Sequence, residues 1–219
     1  MVLEKNPKTR RLSRRLLELE DKLVGKPFPG MKRAKQITSS HCGPAVLEDL
    51  FSFLGVRVSQ TAIVRLARAD KKIKRVGVNV ADLGLAVKKL GKGKFVFWKK
   101  AGSTITNLSM IVNKYQYPAG IEWQGVFYEY ADGDNGHYCV VTRVNKEGGY
   151  LRLADPFFKF AGVDRKFRIK DFEKRWWDKN EVKVSGSIKK KVLTDRRMIF
   201  VITPKAENWP RNLKMVKAG

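Results

Sequence analysis

A cysteine at the predicted start of an amphipathic helix is the residue in this sequence whose chemistry is easiest to state. Cys42 is followed by Gly43 and Pro44, and leucine and phenylalanine then recur at helical spacing as far as Leu54. A helix N-terminus stabilises a thiolate through its macrodipole and its unpaired N–H groups. The position therefore predicts that Cys42 is a nucleophile that attacks a carbonyl carbon.

Such a nucleophile needs a base, and the base needs an acceptor that orients it. His137, at the predicted start of a strand, is the candidate base. His41 is the alternative, but successive residues entering a helix point about 100° apart, which disfavours a direct bond to Cys42. Asp155 ends the strand predicted to pair in a hairpin with the His137 strand, so it is the candidate orienting residue.

The oxyanion of such a reaction needs hydrogen-bond donors, and we expect them from the Cys42 backbone and the Gln36 side-chain amide. Cys139 lies among apolar residues and is predicted to be core. A zinc site formed by His41, Cys42, His137 and Cys139 is the metal-binding alternative. Adjacent ligands seldom reach one tetrahedral ion together and Cys-x2–4-Cys spacing is missing, so we expect neither a metal nor another cofactor.

The elements that position these residues follow from periodicity and capping. Helices are predicted over Thr9–Val24 and from Cys42 to Gly55, then after caps at Ser59, at Asn79 and at Thr104 or Thr106, and around Asp171–Asp178. Strands are predicted at Lys94–Trp98, Gly120–Tyr130, Tyr138–Val144, Tyr150–Ala154 and Met198–Thr203. Because helices come first and strands later, the order predicts an α+β fold with an antiparallel sheet.

The motifs also carry a family resemblance. The string Gln36-x5-Cys42-Gly43-Pro44-Ala45, followed by Gly136-His137-Tyr138 and Asp155-Pro156, resembles the bacteriocin-processing cysteine peptidases. These are papain-like enzymes that cut after double-glycine leaders. The resemblance implies a papain-like fold with the Cys42 helix packed on an antiparallel sheet that carries His137 and Asp155. It also implies that Cys42 is the nucleophile, His137 the base, Asp155 the orienting residue and Gln36 part of the oxyanion hole.

The resemblance runs from Gln36 to Thr203 and divides the chain into three parts. We expect an accessory amphipathic helix and linker over residues 1–30, a peptidase domain over 31–204 and a basic tail over 205–219. The predicted function is a thiol-dependent peptidase of the leader-processing type, acting on a peptide or protein substrate. An amidase or acyl transferase of the same fold is an alternative, because all three reactions pass through one thioester.

The net charge supports a different alternative. The 219 residues carry 46 Lys and Arg against 21 Asp and Glu, a formal charge of +25. Such a charge predicts attraction to an acidic partner such as nucleic acid or an anionic surface, and a basic nucleic-acid-binding protein without catalysis is the corresponding interpretation. The sequence shows neither a secretory signal nor about 18 consecutive apolar residues, so a cytoplasmic location is expected.

Overall fold

The computed structural model of the chain describes residue 19 and residues 25–127, 135–183 and 190–218. The helix predicted over Thr9–Val24 lies outside these ranges, apart from Leu19. In the part of the chain that the structure describes, no helix has the length and apolar character needed to cross a membrane.

Four helices open the described fold, and three of them begin where the sequence predicts, while the short α3 was not predicted. They are α1 (Cys42–Phe53), α2 (Gln60–Leu66), α3 (Ile73–Val76) and α4 (Val80–Gly91). The Ser59 side chain accepts a hydrogen bond from an N–H in the first turn of α2. Asn79 and Asp82 form a reciprocal capping box at the start of α4. These predictions are confirmed because capping depends on local residues alone.

Strands follow the helices, as expected for an α+β fold. The remaining elements are β1 (Phe95–Lys100), α5 (Ile105–Ser109) with a π-helical turn (Met110–Lys114), β2 (Ala119–Gln124), β3 (Gly136–Asn145), β4 (Tyr150–Ala154), β5 (Asp164–Arg168), α6 (Ile169–Arg175), β6 (Trp177–Lys183), β7 (Lys190–Arg196), β8 (Ile199–Pro204), a 3₁₀ turn (Arg211–Leu213) and β9 (Val216–Lys217). Seven strands form one antiparallel sheet in the order β5-β4-β3-β2-β8-β1-β9, and β6 pairs with β7.

Two local predictions are wrong at their ends. The strand predicted over Gly120–Tyr130 stops at Gln124, and residues 128–134 lie outside the described ranges. The helix predicted around Asp171–Asp178 is Ile169–Arg175, and Trp177 and Asp178 instead begin β6. Trp177 and Asp178 pair with Arg196 and Asp195, so a partner strand far along the chain overrides the local helical pattern.

The sheet separates two apolar clusters. On one face α1 buries Leu47, Leu50 and Phe51 in the cluster that contains Tyr138 and Val140. The other face buries Cys139 and Val141 of β3 together with residues from α5, the α6 segment and the C-terminal segment: Leu108, Phe172, Trp176, Trp209 and Leu213. Each large apolar side chain buried in this way contributes about 1.5–3 kcal/mol. The two clusters thus hold β3 between α1 and α6.

The segment that leads into α1 is tied to the sheet by buried polar groups. The Asp49 carboxylate on α1 accepts a hydrogen bond from the backbone N–H of Ala34, at 2.8 Å. The Arg33 guanidinium pairs with the Asp164 carboxylate at 2.9 Å. The backbone N–H of Gln36 donates to the Pro156 carbonyl at 2.8 Å. These bonds bring the residues before Cys42 to the end of β4, where Asp155 lies.

Candidate active site

His137 and Asp155 form a buried pair where β3 begins and β4 ends. The His137 Nε2 and Asp155 Oδ1 atoms are 2.8 Å apart. Burial alone raises the pKa of Asp155, but the His137 imidazole, the Arg165 guanidinium and the Phe157 N–H outweigh it and lower the pKa to about 2. Burial alone lowers the pKa of His137, but the neighbouring Cys139 and the Asp155 carboxylate outweigh it and hold the pKa well above its usual range. The predicted base and orienting residue are therefore in contact.

Arg165 on β5 completes the surroundings of Asp155, and the sequence interpretation did not include it. Its Nη1 lies 2.6 Å from Asp155 Oδ2, and its Nη2 donates to the Val126 carbonyl at 3.1 Å. The neighbouring Phe127 ring meets the His137 ring edge-on, with 4.7 Å between centroids. The register that pairs Arg165 with Leu153 places it on the face of the sheet that carries His137.

Cys42 is the first residue of α1, as predicted, and its residue surface is 8% exposed. It belongs to the apolar cluster that contains Tyr138, the residue after His137. A Cβ at Gly43 would lie 2.6 Å from the Val78 side chain and 3.4 Å from the Tyr138 ring, so glycine is needed here for the approach to Val78, and the first turn of α1 lies next to Tyr138. Among the described residues, no hydrogen bond joins the Cys42 thiol to the His137 imidazole.

The sulfur beside His137 is that of Cys139. The His137 nitrogen, the Cys139 sulfur and an Asp155 oxygen lie within 4.8 Å of one another. Trp123 Nε1 donates to the Cys139 sulfur at 3.3 Å. Burial raises the pKa of the Cys139 thiol to about 11, although His137 and Trp123 act in the opposite direction. Cys139 is fully buried, as the sequence predicts, and a buried thiol that keeps its proton is a poor nucleophile.

Gln36 lies between the Cys42 segment and the Asp155 loop. Its backbone N–H bonds to Pro156, and its side-chain Nε2 donates to the Thr38 carbonyl at 2.9 Å. The Gln36 Oε1 is buried and accepts no hydrogen bond from the described residues. The predicted oxyanion donor therefore lies beside the Asp155 loop, and one of its amide hydrogens bonds to the Thr38 carbonyl.

Among the described residues, the four zinc ligands considered from the sequence do not come together, and His41, the alternative base, uses one ring nitrogen to bond Thr38. His41 Nδ1 bonds to the Thr38 hydroxyl at 2.5 Å, and burial lowers the pKa of His41. The donor group formed by His137, Cys139 and Asp155 contains neither His41 nor Cys42. A cation there would also lie against the guanidinium that holds Asp155. The charges around this donor group thus suit a paired carboxylate better than a metal ion.

Comparisons with known proteins bear on the fold. No family model matches the sequence, and no curated protein matches it. Among solved structures, the chain is similar to the peptidase domain of Streptococcus ComA, a bifunctional ABC transporter involved in a quorum-sensing pathway. The TM-score is 0.54 at 19% sequence identity, with 80% of this chain and 98% of that chain covered. The mixed helical and antiparallel fold therefore resembles that of the ComA peptidase domain.

Proposed function

We propose that this protein is a cysteine peptidase of the bacteriocin-leader-processing type, with Cys42 as nucleophile, His137 as base, Asp155 as orienting residue and Gln36 as an oxyanion donor. The buried His137–Asp155 pair carries the proposal. It lies in a fold similar to that of a peptidase domain, on a sheet whose other face packs against a helix that begins at a cysteine.

The reaction follows from the chemistry of these groups. The Cys42 thiolate attacks the substrate carbonyl carbon, and the Gln36 amide and the Cys42 N–H stabilise the oxyanion. The His137 imidazolium gives its proton to the leaving amine, which leaves a thioester on Cys42. His137 then takes a proton from water, the water oxygen attacks the thioester, and the free acid leaves as the thiol is restored.

This sequence of steps requires the His137 imidazole to reach the Cys42 thiol. Hydrogen bonds between catalytic groups are often long in a free enzyme and shorten when substrate binds. Tyr138 connects the two sites, because its ring packs on the first turn of α1 while its backbone continues from His137. Side chains alternate along β3, so the His137 ring lies on the face of the sheet opposite to the one on which Tyr138 meets α1. We therefore expect the start of β3 to rearrange when an extended peptide binds, which would bring thiol and imidazole together.

The two cysteines and two histidines provide an internal test with a thiol alkylating agent. We expect the agent to modify Cys42 at least about tenfold faster than Cys139. The pKa of Cys139, about 11, leaves it with about a hundredfold less thiolate than an ordinary thiol. His137→Ala should slow the modification of Cys42, and the matched variant His41→Ala should not. Equal, slow modification of both cysteines in all three proteins would overturn the assignment of Cys42.

The reaction type needs a separate experiment. Active protein and Cys42→Ala are incubated with peptides that contain double-glycine sites and with a general peptide library, and the products are identified by mass spectrometry. Cleavage that requires Cys42 supports a peptidase. If an added amine captures the acyl group and no hydrolysis occurs, the protein is an acyl transferase of the same fold.

A further inference from the structure

We propose that Arg165 is a positioning residue of this site, which fixes the Asp155 carboxylate and the Phe127 segment and thereby the ring of His137. The inference rests on the proposed roles of His137 and Asp155. It adds a residue that the Cys-His-Asp pattern does not contain and that lies on a strand, β5, outside the motifs in the sequence.

The carboxylate of Asp155 is held at both oxygens. Oδ1 accepts from His137 at 2.8 Å and from the Phe157 backbone N–H at 3.0 Å, and Oδ2 accepts from Arg165 Nη1 at 2.6 Å. The Arg165 and Asp155 side chains are 5% and 0% exposed, so solvent does not screen this pair. With both oxygens engaged, the carboxylate cannot rotate away from His137 without breaking a buried charged hydrogen bond.

The same guanidinium reaches the segment above the His137 ring. Arg165 Nη2 donates to the Val126 carbonyl, and Phe127, the next residue, packs edge-on against His137. The guanidinium carbon lies 3.6 Å from the centroid of the Phe160 ring. A planar group with several fixed donors is needed to bond two oxygens while stacked on a ring, and lysine cannot reproduce it.

Arg165 also balances the charge that acts on His137. Among the residues that the structure describes, the titratable groups around the imidazole are Asp155 at the end of β4 and Cys139 on β3, and Arg165 on β5 lies directly behind Asp155. Asp155 favours the protonated imidazole, and the Arg165 charge opposes that effect. Without Arg165, the carboxylate would act on His137 unopposed and would also be free to turn.

Arg33 offers a matched control for the test. It is also a buried arginine paired with an aspartate, Asp164, with side chains 3% and 1% exposed, but it contacts neither His137 nor Asp155. The test compares three variants: Arg165→Gln, Arg165→Lys and Arg33→Gln. For each we measure the unfolding free energy in urea, kcat and KM, and the pKa of His137 by NMR.

We expect Arg165→Gln to raise the pKa of His137 and to lower kcat about tenfold or more, with KM changed less than about threefold. Arg165→Lys should keep the pKa near the wild-type value without restoring kcat. Arg33→Gln should reduce stability and leave the pKa of His137 unchanged. If Arg165→Gln does not fold, Arg165→Lys alone decides, and wild-type kcat in that variant overturns the inference.

An unchanged pKa of His137 in Arg165→Gln also overturns the positioning role. The NMR titration needs no enzymatic activity, so the two proposals can fail separately. An inactive wild-type protein in which Arg165→Gln raises the pKa of His137 contradicts the proposed function and retains the positioning role. An active wild-type protein with identical behaviour of Arg165→Gln and Arg33→Gln contradicts the positioning role alone.

Discussion

Replacing Asp155 by asparagine should remove a part of the stability that depends on pH. The pKa of Asp155 is held at about 2 in the folded protein, against an ordinary value of 3.8. The folded state therefore binds this proton less readily than the unfolded chain, so the stabilisation is complete above about pH 5 and is lost as the pH falls. At about 1.4 kcal/mol per pKa unit, the loss is about 1 kcal/mol by about pH 3 and about 2 kcal/mol by about pH 2.

The assay is urea unfolding of wild type and Asp155→Asn at about pH 5 and about pH 3. The variant leaves the Arg165 charge buried without its partner, which costs about 3–5 kcal/mol of unfolding free energy. Domains have stabilities of about 5–15 kcal/mol, so the variant still folds when the wild type lies near the upper end of that range. We expect the difference in unfolding free energy between the two proteins to shrink by about 1 kcal/mol as the pH falls. Asp70→Asn is the control, because that carboxylate is exposed at the surface. A difference that is the same at both pH values would refute the assigned cause.

Three further changes test the fold and the charge. Gly120→Ala places a methyl group against the Phe200 ring and should lower the unfolding free energy by about 1–3 kcal/mol, measured by thermal or urea unfolding. Gly30→Ala faces open space and should lower it little, so equal losses would contradict the packing of β2 on β8. Asn79→Ala removes the capping box shared with Asp82 and should lower the unfolding free energy by about 1 kcal/mol, and no loss would argue against the cap. If the charge of +25 attracts acidic surroundings of the substrate, kcat/KM should fall as salt is added, and a rate indifferent to ionic strength would contradict that role.

Local signals predicted the elements that depend on local interactions. Ser59, Asn79 and Thr104 cap helices as their residue types indicate, since the partner N–H groups lie within three residues. The hairpin of β3 and β4 was predictable because a glycine-containing turn separates two apolar runs. In contrast, β6 begins at Trp177 because β7 pairs with it, and no window around Trp177 contains that information.

In the candidate site, too, the contacts that depend on neighbouring residues were predictable and those that depend on distant strands were not. The contact between His137 and Asp155 follows from the hairpin, which was visible in the sequence. Arg165 was not predictable, because an arginine in a charged stretch looks exposed until β5 is paired with β4 and Asp155 is found beside it. Predicting that Cys139 lies beside His137 required the alternation of side chains along β3 as well as the apolar neighbours of Cys139.

The position of β8 in the sheet has a consequence for biosynthesis. β8 lies between β2 and β1, so the seven-stranded sheet remains split until residue 204 has left the ribosome. Gln36 meets Pro156 only after the intervening chain is made, and such distant pairings are slow to form. A nascent chain can form α1 to α4 early, but the neighbours that would give Cys42 its reactivity arrive late. A truncated chain that ends before β8 would therefore be an incomplete fold rather than a smaller version of the same domain.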